Sequence, residues 1–220
     1  MARINRGILG GYSGKVGTVA GGNWKGINYM RALPEHYNDP KTYRQVNQRS
    51  KFVYTLNFHQ PFTDVLRIGF KAYAIKMSGF NAALSYNLKN AVMGEYPDFS
   101  IDLNRFLVTH GSLTGAYEAV SNATVAGKLN LSWVNNSGTG NAKNEDSAMV
   151  VVYNPEKRTV SSFVGLAKRG DGECVADLPE TYSGDTVHCF LAFTNLTDLV
   201  TMASKKAISD SVYVGEVAML

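Results

Sequence analysis

The segment Leu178-Pro179-Glu180-Thr181-Tyr182-Ser183-Gly184-Asp185-Thr186-Val187-His188-Cys189-Phe190-Leu191-Ala192-Phe193 decides how the chain is read. Just before it, Cys174, Ala176 and Leu178 alternate with polar residues until Pro179 stops the run. After the turn signal Ser183-Gly184-Asp185, Val187, Cys189, Leu191 and Phe193 resume the two-residue period. Alternation of this kind predicts strands with one face turned to a core.

Outward from this segment the signature repeats. Toward the C-terminus, Val212, Val214 and Val217 predict a closing strand. Toward the N-terminus, Lys168-Arg169-Gly170-Asp171-Gly172 is a turn, Thr159 to Ala167 a strand, and Ala148 to Tyr153 another that Asn154-Pro155 ends. Asn135-Asn136-Ser137-Gly138-Thr139-Gly140-Asn141 is a long polar loop, and before it Leu129, Leu131 and Trp133 alternate inward. Short strands with turn signals between them, over residues 111–220, predict an antiparallel β-sandwich.

Ahead of residue 111 the period changes. Residues 98–110 predict a connecting strand, with Phe99, Ile101, Leu103, Phe106 and Val108 at two-residue spacings. Residues 39–97 predict three helices. In the first, Asp39-Pro40 supplies a cap and a first-turn proline, and Tyr43, Val46, Val53 and Leu56 an apolar face, until Pro61. In the second, Phe62, Val65, Leu66, Phe70, Tyr73 and Met77 share a face. Ser78 caps the third, which carries Phe80, Ala83, Leu84, Leu88, Ala91 and Val92 and ends at Gly94. Residues 1–38 form a Gly-rich basic arm, where the stretches 15–20 and 24–30 flank Gly21-Gly22-Asn23 as a β-hairpin. So many glycines leave an isolated hairpin marginal, so the arm is expected to order against another surface.

Charge divides the chain. Residues 1–94 hold thirteen Lys and Arg against Glu35, Asp39 and Asp64, a net +10, whereas residues 95–220 hold nine against fifteen acids, a net −6. This split points the front half toward an acidic partner: nucleic acid, a membrane surface, or the acidic half of a neighbouring copy. Arg3, Arg6, Lys15, Lys25 and Arg31 interleave with Tyr12, Trp24 and Tyr29, a mixture suited to phosphate contacts and base stacking. Arg44, Arg49 and Lys51 extend the basic character onto the first helix. The candidate assembly or nucleic-acid contacts are therefore Arg3, Arg6, Lys15, Trp24, Lys25, Tyr29, Arg31, Arg44, Arg49 and Lys51.

The remaining motifs lead away from catalysis. Gly14-Lys15 is not a phosphate loop, because Leu9 stands where the first glycine belongs and Val16 where Ser or Thr should be. Cys174 and Cys189, read as inward-facing on adjacent strands, are buried thiols or, if the geometry permits, a disulfide. His36, His59, His110 and His188 share no ligand spacing. Asp171, Glu173, Asp177, Glu180 and Asp185 collect near turns, and Arg169-Gly170-Asp171 is read as turn chemistry, not as an adhesion tripeptide. The expectation is a chain without enzymatic activity, cofactor, metal or small-molecule substrate. No apolar run reaches the length of a membrane span, and the start lacks the apolar centre of an export signal. A cytoplasmic protein, or one carried in a phage-type particle, is expected.

Two resemblances complete this reading. Leu178-Pro179, Tyr182-Ser183-Gly184-Asp185-Thr186-Val187, Ala192-Phe193 and Ser211-Val212-Tyr213-Val214-Gly215 resemble the last three strands of a fibronectin type III domain. The whole chain also resembles an uncharacterised domain family of Bacteroidota and their mobile elements, through Arg6-Gly7-Ile8-Leu9-Gly10-Gly11, Gly14-Lys15-Val16-Gly17, Trp24-Lys25-Gly26, Gln48-Arg49-Ser50-Lys51-Phe52 and residues 135–142. The first implies a fibronectin-III or Ig-like sandwich, so that with the hairpin arm and small helical layer read ahead of it the chain is expected to be α+β. The second carries no established activity; its occurrence in mobile elements, taken with the marginal arm and the charge split, leads to the expectation of a non-enzymatic phage or prophage structural component that self-associates through its arm. A nucleic-acid-binding module and a surface ligand-binding or adhesion module are the alternatives.

Overall fold

A computed structural model describes residues 3–4 (backbone only), 10–36, 39–196 and 204–220. The chain divides into two units, Met1–Gln45 and Val46–Leu220. In the first, β1 (Arg3–Ile4), β2 (Tyr12–Val16), β3 (Val19–Trp24) and β4 (Ile27–Ala32) form an antiparallel sheet in that order. The hairpin expected around Gly21-Gly22-Asn23 is displaced, since these residues lie inside β3. The turn is made by Lys25-Gly26, both at positive φ (47° and 82°), as a two-residue type I′ hairpin requires. Gly21 and Gly22 have a different purpose: an added β-carbon would come within 2.6 Å of the Tyr12 ring at Gly21 and within 2.7 Å of the Tyr29 ring at Gly22. Each glycine makes room for an aromatic ring lying across the sheet.

The second unit starts within a helix. α1 (Tyr43–His59) begins three residues after Pro40, because Lys41 at φ 47° interrupts the helical path. Gln45 instead reaches back to the Thr42 amide, one arm of a capping box. The apolar face expected from Tyr43, Val46, Val53 and Leu56 is not the buried one: Tyr43 and Val53 are exposed, whereas Thr55 and His59 are fully buried. Their polar groups are satisfied inside, Thr55 Oγ1 donating to the Lys51 carbonyl and His59 Nδ1 to the Thr55 carbonyl. α2 (Thr63–Gly69) buries Val65 and Leu66, and α3 (Gly79–Asn90) is capped by Ser78 as the sequence predicts. α3 ends at Asn90, not at Gly94, because β5 (Val92–Glu95) leaves it to pair with β6 (Asp98–Ile101).

The connecting strand expected over residues 98–110 therefore stops at Ile101. Phe106, Leu107, Val108 and Thr109 are all buried, which no alternating strand allows. Side chains replace a ladder there: Leu107 N–H donates to Asn87 Oδ1 and Val108 N–H to Ser211 Oγ.

The sandwich comprises β7 (Tyr117–Val125), β8 (Lys128–Val134), β9 (Ser147–Asn154), β10 (Thr159–Lys168), β11 (Glu173–Asp177), β12 (Thr186–Thr194) and β13 (Val212–Ala218). Three strands, β11-β8-β7, face four, β10-β9-β12-β13, all neighbours antiparallel. Leu129, Leu131, Trp133, Val150, Val152, Ala176, Leu191 and Phe193 fill the space between them. This is the α+β, fibronectin-like architecture that the sequence predicts.

The four-stranded sheet is also covered on its other side. Met149, Val151 and Tyr153 of β9 and Phe190 and Ala192 of β12 pack in a second core with Phe62, Leu66, Phe70, Phe106 and Val108. Phe62 sits 4.9 Å from the Tyr153 ring, centroid to centroid. Helices, central sheet and outer sheet thus form three layers. From Val46 onward, the expected segments 39–97, 98–110 and 111–220 make one body because they share this second core.

Candidate functional site

Strand register sorts the N-terminal candidates onto two faces. Directly paired residues of an antiparallel sheet share a face, as do residues two apart along a strand. Lys15 pairs with Ala20, Ala20 with Arg31, Gly22 with Tyr29, and Trp24 with Ile27. Lys15, Trp24, Tyr29 and Arg31 therefore lie on the same side. Trp24 and Tyr29 are 54% and 53% exposed, so both rings are available. Lys15 and Arg31 are exposed too, and neither side chain makes an ion pair or hydrogen bond among the described residues. They flank Ala20 at about 5 Å on either side, the spacing of neighbouring strands.

The other face is of opposite character. Tyr12, Val16, Val19, Met30 and Ala32 share it with Gly14, Gly21, Asn23 and Asn28, and none of these side chains is charged. Val16 is 55% and Met30 68% exposed. Tyr12, grouped with the basic residues in the sequence, belongs to this uncharged side. No described residue between Gly10 and His36 is buried, so the sheet has no core of its own.

The other candidates fall elsewhere. Lys25 is exposed in the β3–β4 turn. The backbone of Arg3 pairs with Ser13, but its side chain and all of Arg6 lie outside the described residues. Arg44 is exposed in the first turn of α1. Arg49 and Lys51, two residues apart on the same helix, point roughly 200° apart around it and form no common patch.

Motifs in the sandwich resolve into structure. Cys174 and Cys189 are free and buried, but their strands, β11 and β12, belong to opposite sheets and are not adjacent as the sequence suggests. Burial pushes their thiols up to about 11 and about 12, away from the reactive thiolate. Arg169 of the Arg-Gly-Asp turn is fully buried: it pairs with Asp146 at 3.1 Å, donates to the carbonyls of Thr114 and Gly115, and lies over the Phe193 ring. Its guanidinium is withheld from any receptor. Asp185 accepts from Lys157 and from Asn154, which hold its carboxyl below the usual range and tie down the turn before β12. Glu173 and Asp177 project outward from β11, where Asp177 meets Lys128 at 3.3 Å.

One concavity has no local signal in the sequence. Adjoining clefts of about 350 and 440 Å³ share Tyr86, Lys89 and Asn90. At one end the His110 ring is stacked on Tyr73 at 4.3 Å and held through Nδ1 by Asp210 at 2.7 Å. No hydroxyl or thiol is hydrogen-bonded to this ring among the described residues. The lining residues come from four distant stretches, which is why no spacing reveals them.

Among the described residues, no three His, Cys, Asp or Glu side chains are grouped to hold a metal ion, and no helix is long and apolar enough to cross a membrane. Comparison with solved structures finds similarity to the fibronectin type III domain of the human collagen alpha-1(XX) chain, at 7% identity and a TM-score of 0.35, over 49% of this chain and 87% of that one. No curated protein matches the sequence. Residues 11–215 match the family of unknown function DUF6266, and the chain belongs to that family.

Proposed function

We propose that this chain is a non-enzymatic assembly protein, of the kind that builds phage or prophage particles, whose N-terminal sheet docks its uncharged face on the same face of a second copy. The observation that carries this reading is an exposed apolar surface, centred on Val16 and Met30, on a sheet without a buried core. Burying such side chains is worth roughly 1.5–3 kcal/mol each, so a copy of the same face supplies what the sheet lacks. Pairing the uncharged faces also keeps the basic faces apart and turned to solvent. The three-layered body, with its two cores, is the stable part of the chain.

Sedimentation velocity on the full chain tests the proposal. The wild type should sediment as a dimer or larger species, and the double substitution Val16→Asp, Met30→Asp should give monomer with unchanged circular dichroism. A wild type that stays monomeric at its highest soluble concentration would overturn it.

A further inference from the structure

We infer that the opposite, basic face of the N-terminal sheet is a binding site for single-stranded nucleic acid, with Tyr29 and Trp24 as stacking platforms and Lys15 and Arg31 as phosphate contacts. The site uses the face that the proposed assembly leaves free, so the two ideas stand or fall separately.

Three observations support the inference. First, Tyr29 lies across Gly22, its ring 2.7 Å from where a β-carbon would stand. One side of the ring is thus backed by the strand, while a residue 53% exposed keeps the other side open. A flat, backed ring is what base stacking needs, and such stacking tolerates any sequence because every base has a π-face. Second, the rows Trp24–Ile27, Gly22–Tyr29 and Lys15–Ala20–Arg31 follow one another at about 7 Å along the strands. Ala20 and Gly22 keep the middle of the face shallow, so a chain crossing it meets aromatic rings at one end and two cations at the other. Third, no Asp or Glu occurs before Glu35, so nothing within this stretch neutralises the field of the two cations or repels phosphate.

The bare rings select the class of partner. A duplex hides its base faces in the stack, so it could use only the cations. An acidic peptide would likewise satisfy Lys15 and Arg31 and leave Trp24 and Tyr29 unused.

The test is fluorescence anisotropy with the full chain and labelled oligothymidylate or oligouridylate of about twenty nucleotides. With two phosphate contacts per chain, affinity should fall about 7-fold between about 50 and 200 mM salt. Trp24→Ala and Tyr29→Ala should each weaken binding by about 5-fold or more, while Trp24→Phe retains most of it. Lys15→Gln with Arg31→Gln should flatten the salt dependence. All four side chains are exposed, so these variants should keep the wild-type circular dichroism and thermal transition. Val16→Thr with Met30→Gln, which add no charge, should keep the affinity, because those residues occupy the other face. The inference is overturned by no binding at low salt, by equal affinity for a duplex, by displacement with polyglutamate as readily as with oligothymidylate, or by aromatic variants that bind like the wild type.

Discussion

His59 shows how a polar residue can form part of a core. Its Nδ1–H donates to the Thr55 carbonyl at 2.8 Å, which leaves Nε2 to accept from the Asn87 amide at 3.1 Å. Asn87 in turn donates to the Leu107 carbonyl and accepts from the Leu107 amide. Every group is satisfied only while the imidazole is neutral, and burial lowers its pKa from 6.5 to about 4. Protonation therefore favours the unfolded chain. The stability is fully present above pH 6.5 and declines as pH falls toward 4, by roughly 3 kcal/mol in all. Urea unfolding between about pH 7 and 4 should show this loss, and His59→Gln should flatten the curve in that window. If the variant and the wild type decline in parallel, His59 is not the group that titrates. At the same scale, Arg169 shows the limit of motif reading: Arg-Gly-Asp is legible in the sequence, but the burial of its guanidinium against Asp146 and Phe193 is not.

At the scale of elements, β9 and β12 decide the layering. The unbroken apolar runs Ala148 to Tyr153 and Cys189 to Phe193 are the mark of strands covered on both faces. The alternating reading of Val187, Cys189, Leu191 and Phe193 is correct for one side and leaves Phe190 and Ala192 unassigned. Those residues receive the helical layer, through Phe62 just ahead of α2 and Phe106 of the segment after β6. α1 is harder to read, since its buried side carries Thr55 and His59 while apolar Tyr43, Phe52 and Val53 face outward. Helix period alone cannot find a seat made of polar residues, one bonded within α1 and the other also to Asn87 of α3. Because the helical layer shares a core with β9 and β12, it should unfold together with the sandwich. Phe62→Ala should cost about 3–5 kcal/mol and shift one common transition seen by both near- and far-ultraviolet circular dichroism. Two separated transitions would show instead that the layer is an independent domain.

At the scale of the whole molecule, the chain joins a unit with no fully buried residue among those described to a body with two cores. None of residues 10–36 is fully buried, and the body has two cores of its own, so it should not depend on them. A chain starting at Thr42 should melt within about 3 °C of the full-length protein, a shift that corresponds to roughly 1 kcal/mol at this size. It should also lose both self-association and oligonucleotide binding. A much larger drop in Tm would mean that the sheet contributes to the body's stability.

The sequence by itself determined what rests on neighbours along the chain. The strands from Leu129 onward, the Ser78 cap, the polar loop after Trp133 and the acid-free basic start all follow from local period and composition. Tertiary structure decided what depends on residues that meet across the fold. Register across β2, β3 and β4 placed Lys15, Trp24, Tyr29 and Arg31 on one face and Tyr12, Val16 and Met30 on the other. Composition had merged these two groups into a single basic, aromatic arm. Which face a side chain takes follows from this register, and the two-residue turn at Lys25-Gly26 sets Gly22 opposite Tyr29. The sandwich read from Leu178–Phe193 was legible because alternation encodes one buried face. The helical cover on its far side was not, because docking is fixed by complementary surfaces and leaves no period of its own.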